Sequence, residues 1–293
     1  MSTHTIGRQS QVPASGSDNP AVAQAPLRFV SAASLFDGHD AAINMIRRLL
    51  QGGGAEVVHL GHNRSVADIV RAAIQEDADG IAVSSYQGGH NEYFAYMVDM
   101  LRELGCDHIR VVVGGGGTIA PHEIAALEQH GIEKIYTPED GRTLGLQGMI
   151  EDVFQRVRRA PRPAFEWAAP TARDHRQLAR TISALEGEGA GHAHEVESLR
   201  ARIQQELARA RRPHGGAVAA LPSVADAALA PVIGITGTGG AGKSSLTDEL
   251  LQRFVRAFPG KQIAVVAVDP TRRRSGGALL GDRIRMNSLA AES

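Results

Sequence analysis

The sequence predicts an α/β protein: a doubly wound parallel sheet of flavodoxin-like type, a helical connector, and then the start of a second α/β unit. Three observations predict it. From Leu27 onward, short apolar, β-branched runs alternate with longer amphipathic ones up to about residue 158. Ile81–Val83 and Val111–Val113 are apolar throughout, as expected of strands covered by helices on both faces. The repeats follow one another as βα units, the pattern that builds parallel sheets. Ligands of such sheets sit beyond the carboxyl ends of the strands.

Strands are expected at Leu27–Ser31, Glu56–Leu60, Gly80–Ser84, Ile109–Val113 and Lys134–Tyr136. Helices are expected at Ala41–Leu50, Ser65–Gln75, Glu92–Leu104, Pro121–Gln129 and Leu144–Val157. The second helix shows the reasoning. Val66, Ile69, Val70, Ala73 and Ile74 recur at three- and four-residue spacing, which gives one apolar face, and Ser65 suits an N-cap. Pro161 and Pro163 close this domain, which spans 27–158. A helical connector and linker follow over 159–230. Leu178, Ile182 and Leu185, then Val196, Leu199, Ile203 and Leu207, mark two helices interrupted at Gly187–Gly191. Residues 213–230 are rich in Gly, Ala and Pro and read as linker. The second α/β unit occupies 231–293, with strands expected at Val232–Ile235 and Ile263–Val268 and a helix over Lys243–Phe258.

Composition excludes several classes. A chain of 293 residues suits about two domains. With 43% hydrophobic and 22% charged residues it is an ordinary globular protein. A net charge of -1 gives no electrostatic case for nucleic acid or a membrane surface. No apolar run approaches the ~20 residues of a bilayer span, and the amino terminus lacks a secretory signal pattern. Cys106 is the sole cysteine, so no internal disulfide forms, and a cytoplasmic location is expected. Residues 1–26 carry few large apolar groups and are expected to be a disordered leader.

The chemistry gathers in two places. The first strand leads into Asp37-Gly38-His39-Asp40, on the rim where ligands bind. Neutral imidazole is a good ligand for transition metals. Asp37 is placed to accept the other ring N–H and fix the tautomer. The third strand runs into Ser84-Ser85-Tyr86-Gln87-Gly88, and the fourth into Gly114–Gly117. Small residues at such positions let a bulky planar group approach the backbone. Taken singly, each has a plain reading: a surface or helix-cap pair, a turn serine, a flexible glycine loop. Their joint placement after strands one, three and four favours a site. His90, His108, His122 and His130 lack this context and read as structural or surface residues. His59 and His62 stay unassigned.

These segments resemble the cobalamin-binding domains of adenosylcobalamin-dependent acyl-CoA mutases and methionine synthase. That family carries Asp-x-His-x-x-Gly, Ser-x-Leu and Gly-Gly on successive loops. Asp37 and His39 match the first motif, with Ala42 at its final glycine. Ser84 matches the second, with Tyr86 at its leucine. The register of the third within Gly114–Gly117 stays open. The resemblance implies that His39 ligates cobalt in place of the cofactor's own dimethylbenzimidazole, whose tail lies beside Ser84 and the glycines. Implied cofactor-binding residues are Asp37, Gly38, His39, Asp40, Ser84, Tyr86, Gly88, Gly115, Gly116 and Gly117.

The second place is Gly237-Thr238-Gly239-Gly240-Ala241-Gly242-Lys243-Ser244, followed by Ser245. It fits the P-loop pattern in full, between an apolar strand and a helix. Gly237, Gly239, Gly240, Ala241 and Gly242 would cradle phosphates with backbone N–H groups. Lys243 would reach the β- and γ-phosphates and Ser244 would ligate Mg²⁺. Together with Ser275–Met286, the segment resembles the MeaB-like GTPase chaperones of acyl-CoA mutases. That resemblance implies GTP/GDP as ligand and Asp269 and Asp282 as acids that help organise Mg²⁺.

The domain order resembles the fused isobutyryl-CoA mutases, which implies that the chain is the amino-terminal quarter or so of a longer polypeptide. Such a protein interconverts isobutyryl-CoA and n-butyryl-CoA by a radical rearrangement. Its partner for this chain is the mutase substrate-binding domain, which holds the acyl-CoA, and a homo-oligomer is expected. No catalytic residue is expected within these 293 residues, and no mutase activity and little GTP hydrolysis. Methylmalonyl-CoA or a related acyl-CoA stays open as substrate, and ATP as nucleotide. Two other classes stay open: a stand-alone cobalamin carrier or sensor, and a P-loop kinase or ATPase with a cobalt-free regulatory domain.

Overall fold

The computed structural model describes residues 26–168 except Gly116, then 174–186, 193–210, 231–261 and 263–266. The expected leader before Pro26, the 213–230 linker, Gly116, Asp269 and Asp282 lie outside the described residues, as does the side chain of Asp40.

The strands are β1 (Arg28–Ala33), β2 (Glu56–His59), β3 (Gly80–Ser84), β4 (Arg110–Gly114) and β5 (Lys134–Ile135). They form one parallel sheet in the order β2-β1-β3-β4-β5. The order reverses between β1 and β3, the point where doubly wound sheets open a crevice. Ser84 pairs with Ala33 on one side and Gly114 on the other, which brings three carboxyl ends to one level.

Helices α1 (Asp40–Gly52), α2 (Val66–Gln75), α3 (His90–Glu103), α4 (Pro121–His130) and α5 (Pro138–Arg159) cover the sheet. Strand side chains alternate between its faces. Phe29, Ala82 and Val112 pack with Leu50 of α1 and with Ile150, Val153 and Phe154 of α5. Val30, Ile81, Val83, Val111 and Val113 pack with α2, α3 and α4. The ring of Phe29 stacks on Phe154 at 6.1 Å. Burying an aromatic or aliphatic side chain of this size contributes about 1.5–3 kcal/mol.

Caps explain the helix limits. Ser65 caps α2 as expected, its Oγ accepting from Asp68 N at 3.1 Å. Helix α5 begins at Pro138 rather than Leu144, because Thr137 and Asp140 form a reciprocal capping box with proline at the first position. Gly145, at φ 66° and ψ 169°, then breaks α5 into two pieces.

The connector is two helices, α6 (His175–Glu186) and α7 (Ala193–Ala210). Helix α6 packs against α2. It is tied to the first residue of β1. Arg28 donates to Ser183 Oγ at 3.1 Å and pairs with Glu186 at 3.2 Å and Glu56 at 2.8 Å. Arg162 pairs with Asp77 at 2.5 Å and Asp79 at 3.0 Å at the same edge. This network was not legible in the sequence, because its members are scattered along the chain.

Helix α8 (Lys243–Ala257) forms as expected. The strands expected at Val232–Ile235 and Ile263–Val268 do not pair among the described residues, and Val232 and Ile233 stand 96% and 82% exposed. A strand exists only in a ladder, and these runs have no described partner. Among the described residues, no helix is long and apolar enough to cross a membrane.

Candidate functional site

The rim above β1, β3 and β4 brings the Asp37, Ser84 and Gly115 segments together. After β1 the chain turns sharply. Phe36 adopts φ 63° and donates its N–H to Asn63 Oδ1 at 2.7 Å, while Asp37 N donates to Ser34 O at 3.0 Å. The turn drives the Asp37 side chain inward, to 1% exposure.

There Asp37 accepts three N–H groups. Its Oδ1 receives His39 N at 2.8 Å and His39 Nδ1 at 2.9 Å, and its Oδ2 receives Tyr86 N at 2.8 Å. With Nδ1–H donated to the carboxylate, Nε2 carries the free lone pair. His39 occupies the N-cap position of α1, yet its side chain makes no cap bond, and 74% of that side chain is exposed. The His39 side chain is thus no helix cap, and its exposure is what a surface pair would also show. The Tyr86 ring lies 5.6 Å from the imidazole, tilted by 52°.

Beside this pair, a cavity of about 260 Å³ opens between the sheet, α1 and α5. Its origin is in the alternation. On this face, β3 presents Ala82 and Ser84, and β4 presents Val112 and Gly114. These residues are too small to fill the space beneath Ile43 and Ile46 of α1 and Met149 and Ile150 of α5. The walls are almost wholly apolar. Among the described residues, the Ser84 hydroxyl is buried there without a hydrogen-bond partner. Tyr136 also lines the cavity, but its hydroxyl donates to Asp152 at 2.8 Å, and burial, then Asp152, push the phenol well above its usual range.

The glycines divide into two kinds. At Gly115, with φ 91°, an added Cβ would lie 2.2 Å from Ser85 O, so the fold itself requires glycine there. At Gly117 the nearest atom would be Pro138 Cγ at 3.5 Å, an ordinary contact. Gly38 and Gly88 have no left-handed φ, and an added Cβ would meet nothing within 4 Å. The protein's own packing makes no demand for glycine at either.

His90 braces the rim, as a structural reading expects. It is 9% exposed and contacts Gln87 O at 3.2 Å and Glu123 Oε2 at 3.1 Å. Glu123 also accepts from Ala120 N and Asn91 Nδ2, both at 2.8 Å. The Ala120 N–H, then Asn91 and His90, hold its carboxyl down to about 2 from an ordinary 4.5. A lowered carboxyl stabilises the fold above its unfolded value and stops doing so as pH falls through the folded one. Glu123→Gln is therefore expected to melt below wild type at neutral pH, with the gap closing between pH 4.5 and about 2. Thermal unfolding across that range checks it, and a constant gap would refute it. His59 is buried with its Nδ1 2.9 Å from Ser31 Oγ, a structural pairing.

In the second unit, Gly240 and Gly242 take φ 79° and 80°, which turns the loop into α8. Lys243 arches back, its Nζ donating to Gly237 O at 2.9 Å and Thr238 O at 2.8 Å. Ser244 and Ser245 begin the helix behind it. Sequence reasoning missed Asn63 and the cavity walls Ile43, Ile46, Leu146 and Met149. The three-residue spacing of Ile43 and Ile46 marks a buried face, but nothing in it marks a cavity.

A family model described as a B12 binding domain matches residues 27–159. One described as methylmalonyl Co-A mutase-associated GTPase MeaB matches 207–293, beginning inside α7 and upstream of Pro231. The fused isobutyryl-CoA mutase of Cupriavidus metallidurans is 54% identical over 269 residues, 90% of this chain and 22% of that protein. That of Geobacillus kaustophilus is 52% identical over 90% of this chain and 23% of that protein. The chain thus spans less than a quarter of the length of these relatives. The 2-hydroxyisobutanoyl-CoA mutase small subunit of Aquincola tertiaricarbonis is 30% identical over 38% of this chain and 81% of that protein. The chain therefore belongs to the acyl-CoA mutase family, within which 90% of its length aligns with the fused isobutyryl-CoA mutases.

Proposed function

We propose that this chain binds cobalamin on the rim of its sheet, with His39 Nε2 as the nitrogen that would ligate cobalt. One observation carries the reading: an exposed imidazole, fixed through Nδ1 by a buried carboxylate, stands beside an apolar cavity that holds an unpartnered hydroxyl. The residues fit the group. Imidazole suits cobalt, and a carboxylate on the far nitrogen orients the ring and raises its basicity. The cavity suits a displaced benzimidazole tail, with Ser84 as hydrogen-bond donor and Gly117 leaving room along the backbone, while Gly115 lets the β3 and β4 loops that line it pack together. Gly38 and Gly88, glycines without a packing reason of their own, fit close approach of the corrin ring, as does Tyr86.

Bound as adenosylcobalamin, the cofactor supplies a cobalt–carbon bond that breaks homolytically to begin radical chemistry. The chain's part is to bind it, orient it and hold cobalt on nitrogen. Gly237–Gly242 and the start of α8 would bind the phosphates of GTP or GDP, with Lys243 on the β- and γ-phosphates. Ser244 would hold Mg²⁺, with Asp269 and Asp282 as further acids of that site. Alignment with the fused relatives supports a place in an isobutyryl-CoA mutase. We propose further a cytoplasmic, homo-oligomeric enzyme that converts isobutyryl-CoA to n-butyryl-CoA, with the GTPase governing cofactor loading.

The test is an electron paramagnetic resonance spectrum of cob(II)alamin with the purified chain, unlabelled and labelled with ¹⁵N-histidine, because the cofactor's own dimethylbenzimidazole also splits the cobalt signal through one nitrogen. Wild type is expected to show a nitrogen splitting that changes with the label. His39→Ala is expected to show a splitting that does not. A wild-type splitting that ignores the label defeats the reading.

A further inference from the structure

We infer that the cavity beside His39 selects the class of base on the cofactor's nucleotide tail: it accepts a benzimidazole and rejects a purine. The inference rests on the reading of His39 as cobalt ligand, because the base is free to enter the cavity only when His39 has taken its place on cobalt.

Selection comes from the supply of hydrogen-bonding groups. Apart from Tyr86, which stands 39% exposed, three hydroxyl side chains line the cavity: Ser84, Tyr136 and Thr137. Two of them are committed to α5. Tyr136 donates to Asp152 at 2.8 Å, and Thr137 donates to Asp140 Oδ2 at 2.7 Å while accepting from Asp140 N at 3.2 Å. The backbone carbonyls of Val113, Gly114 and Gly115 accept from the N–H groups of Tyr136, Ser85 and Thr118. The remaining side chains of the walls are apolar. Among the described residues, that leaves Ser84 as the hydroxyl without a partner.

One donor meets the need of one acceptor. A benzimidazole has two ring nitrogens. One carries the ribose, and the other, released from cobalt, is its single acceptor. The rest of its edge is hydrocarbon and suits apolar walls. An adenine released from cobalt brings the same acceptor together with two further ring nitrogens and an amino group. The described walls offer these groups no free partner. A polar group buried without one weakens binding by about 5- to 100-fold.

The experiment titrates the purified chain with cobalamin, with the cobamide that carries adenine instead, and with cobinamide, which has no base. Each is used as the Co(II) form, and absorbance gives the dissociation constants. Cobalamin is expected to bind at least about tenfold more tightly than the adenine cobamide. Adenine is the weaker base and leaves cobalt more readily, so ease of displacement alone would give the opposite order. Ser84→Ala is expected to weaken cobalamin by about two- to tenfold, the worth of one hydrogen bond, and to leave cobinamide unchanged. The comparison of the two cobamides needs no variant, so it decides even if Ser84→Ala fails to fold. Affinities within about threefold of each other overturn the inference. So does a Ser84→Ala loss of the same size on cobinamide. In either case, a wild-type cobalt splitting that changes with ¹⁵N-histidine leaves the ligand reading standing. A splitting that ignores the label overturns both, since the base then stays on cobalt and outside the cavity.

Discussion

Asp37→Ala is expected to weaken cobalamin binding by about 10- to 100-fold, the usual effect of removing the group behind a metal-bound histidine. The carboxylate holds three N–H donors and is almost wholly buried. Without it the imidazole is free to rotate, and Nδ1–H is no longer the favoured tautomer. The backbone N–H groups of His39 and Tyr86 lose their acceptor as well, at about 1–3 kcal/mol for each that water does not reach. Asparagine should not rescue the site. Both carboxylate oxygens of Asp37 accept N–H groups, and an amide offers one oxygen and one NH₂. Whichever way it is turned, an N–H then faces an N–H. Titration of the variants with hydroxocobalamin, followed by absorbance, measures the effect. Affinity within twofold of wild type for Asp37→Ala would show that the pairing is incidental.

The second large effect is expected at Gly115. An alanine Cβ there meets Ser85 O at 2.2 Å, in a backbone conformation with φ 91° that other residues avoid. Either the β3 or the β4 loop must shift, and both line the rim. A loss of roughly 3 kcal/mol in stability is expected from the combined overpacking and left-handed strain, together with weaker cobalamin binding. Gly117→Ala is the internal control, since its Cβ makes an ordinary contact with Pro138 at 3.5 Å. Urea unfolding of the two variants separates them, and equal stabilities would contradict the steric argument.

Much of this site was legible one motif at a time. Asp37 and His39 lie two residues apart after a strand, and the geometry that joins them is local. Ser84 and Gly115 could be named because β strands end where their apolar runs end. The cavity was less legible. It arises because small residues on alternate positions of β3 and β4 face α1 and α5 together, and α5 starts six residues earlier than its apolar pattern suggests, between Pro138 and Leu144. Capping, not hydrophobic periodicity, sets that boundary. The anchorage of α6 through Arg28 was not legible at all, since charge alone does not say which of many carboxylates an arginine meets.

The amino-acid order by itself determined the alternation of strands and helices, the parallel sheet, the histidine with its neighbouring carboxylate and the phosphate loop. Each depends on residues close in the chain or on a repeating apolar period. Tertiary structure alone decided that Tyr86 lies against His39, that the Ser84 hydroxyl is buried without a partner, that Gly115 has no space for a methyl group, and that the connector grips the far edge of the sheet. These are contacts between segments brought together by the sheet's strand order. A local pattern carries no record of distances set by packing elsewhere.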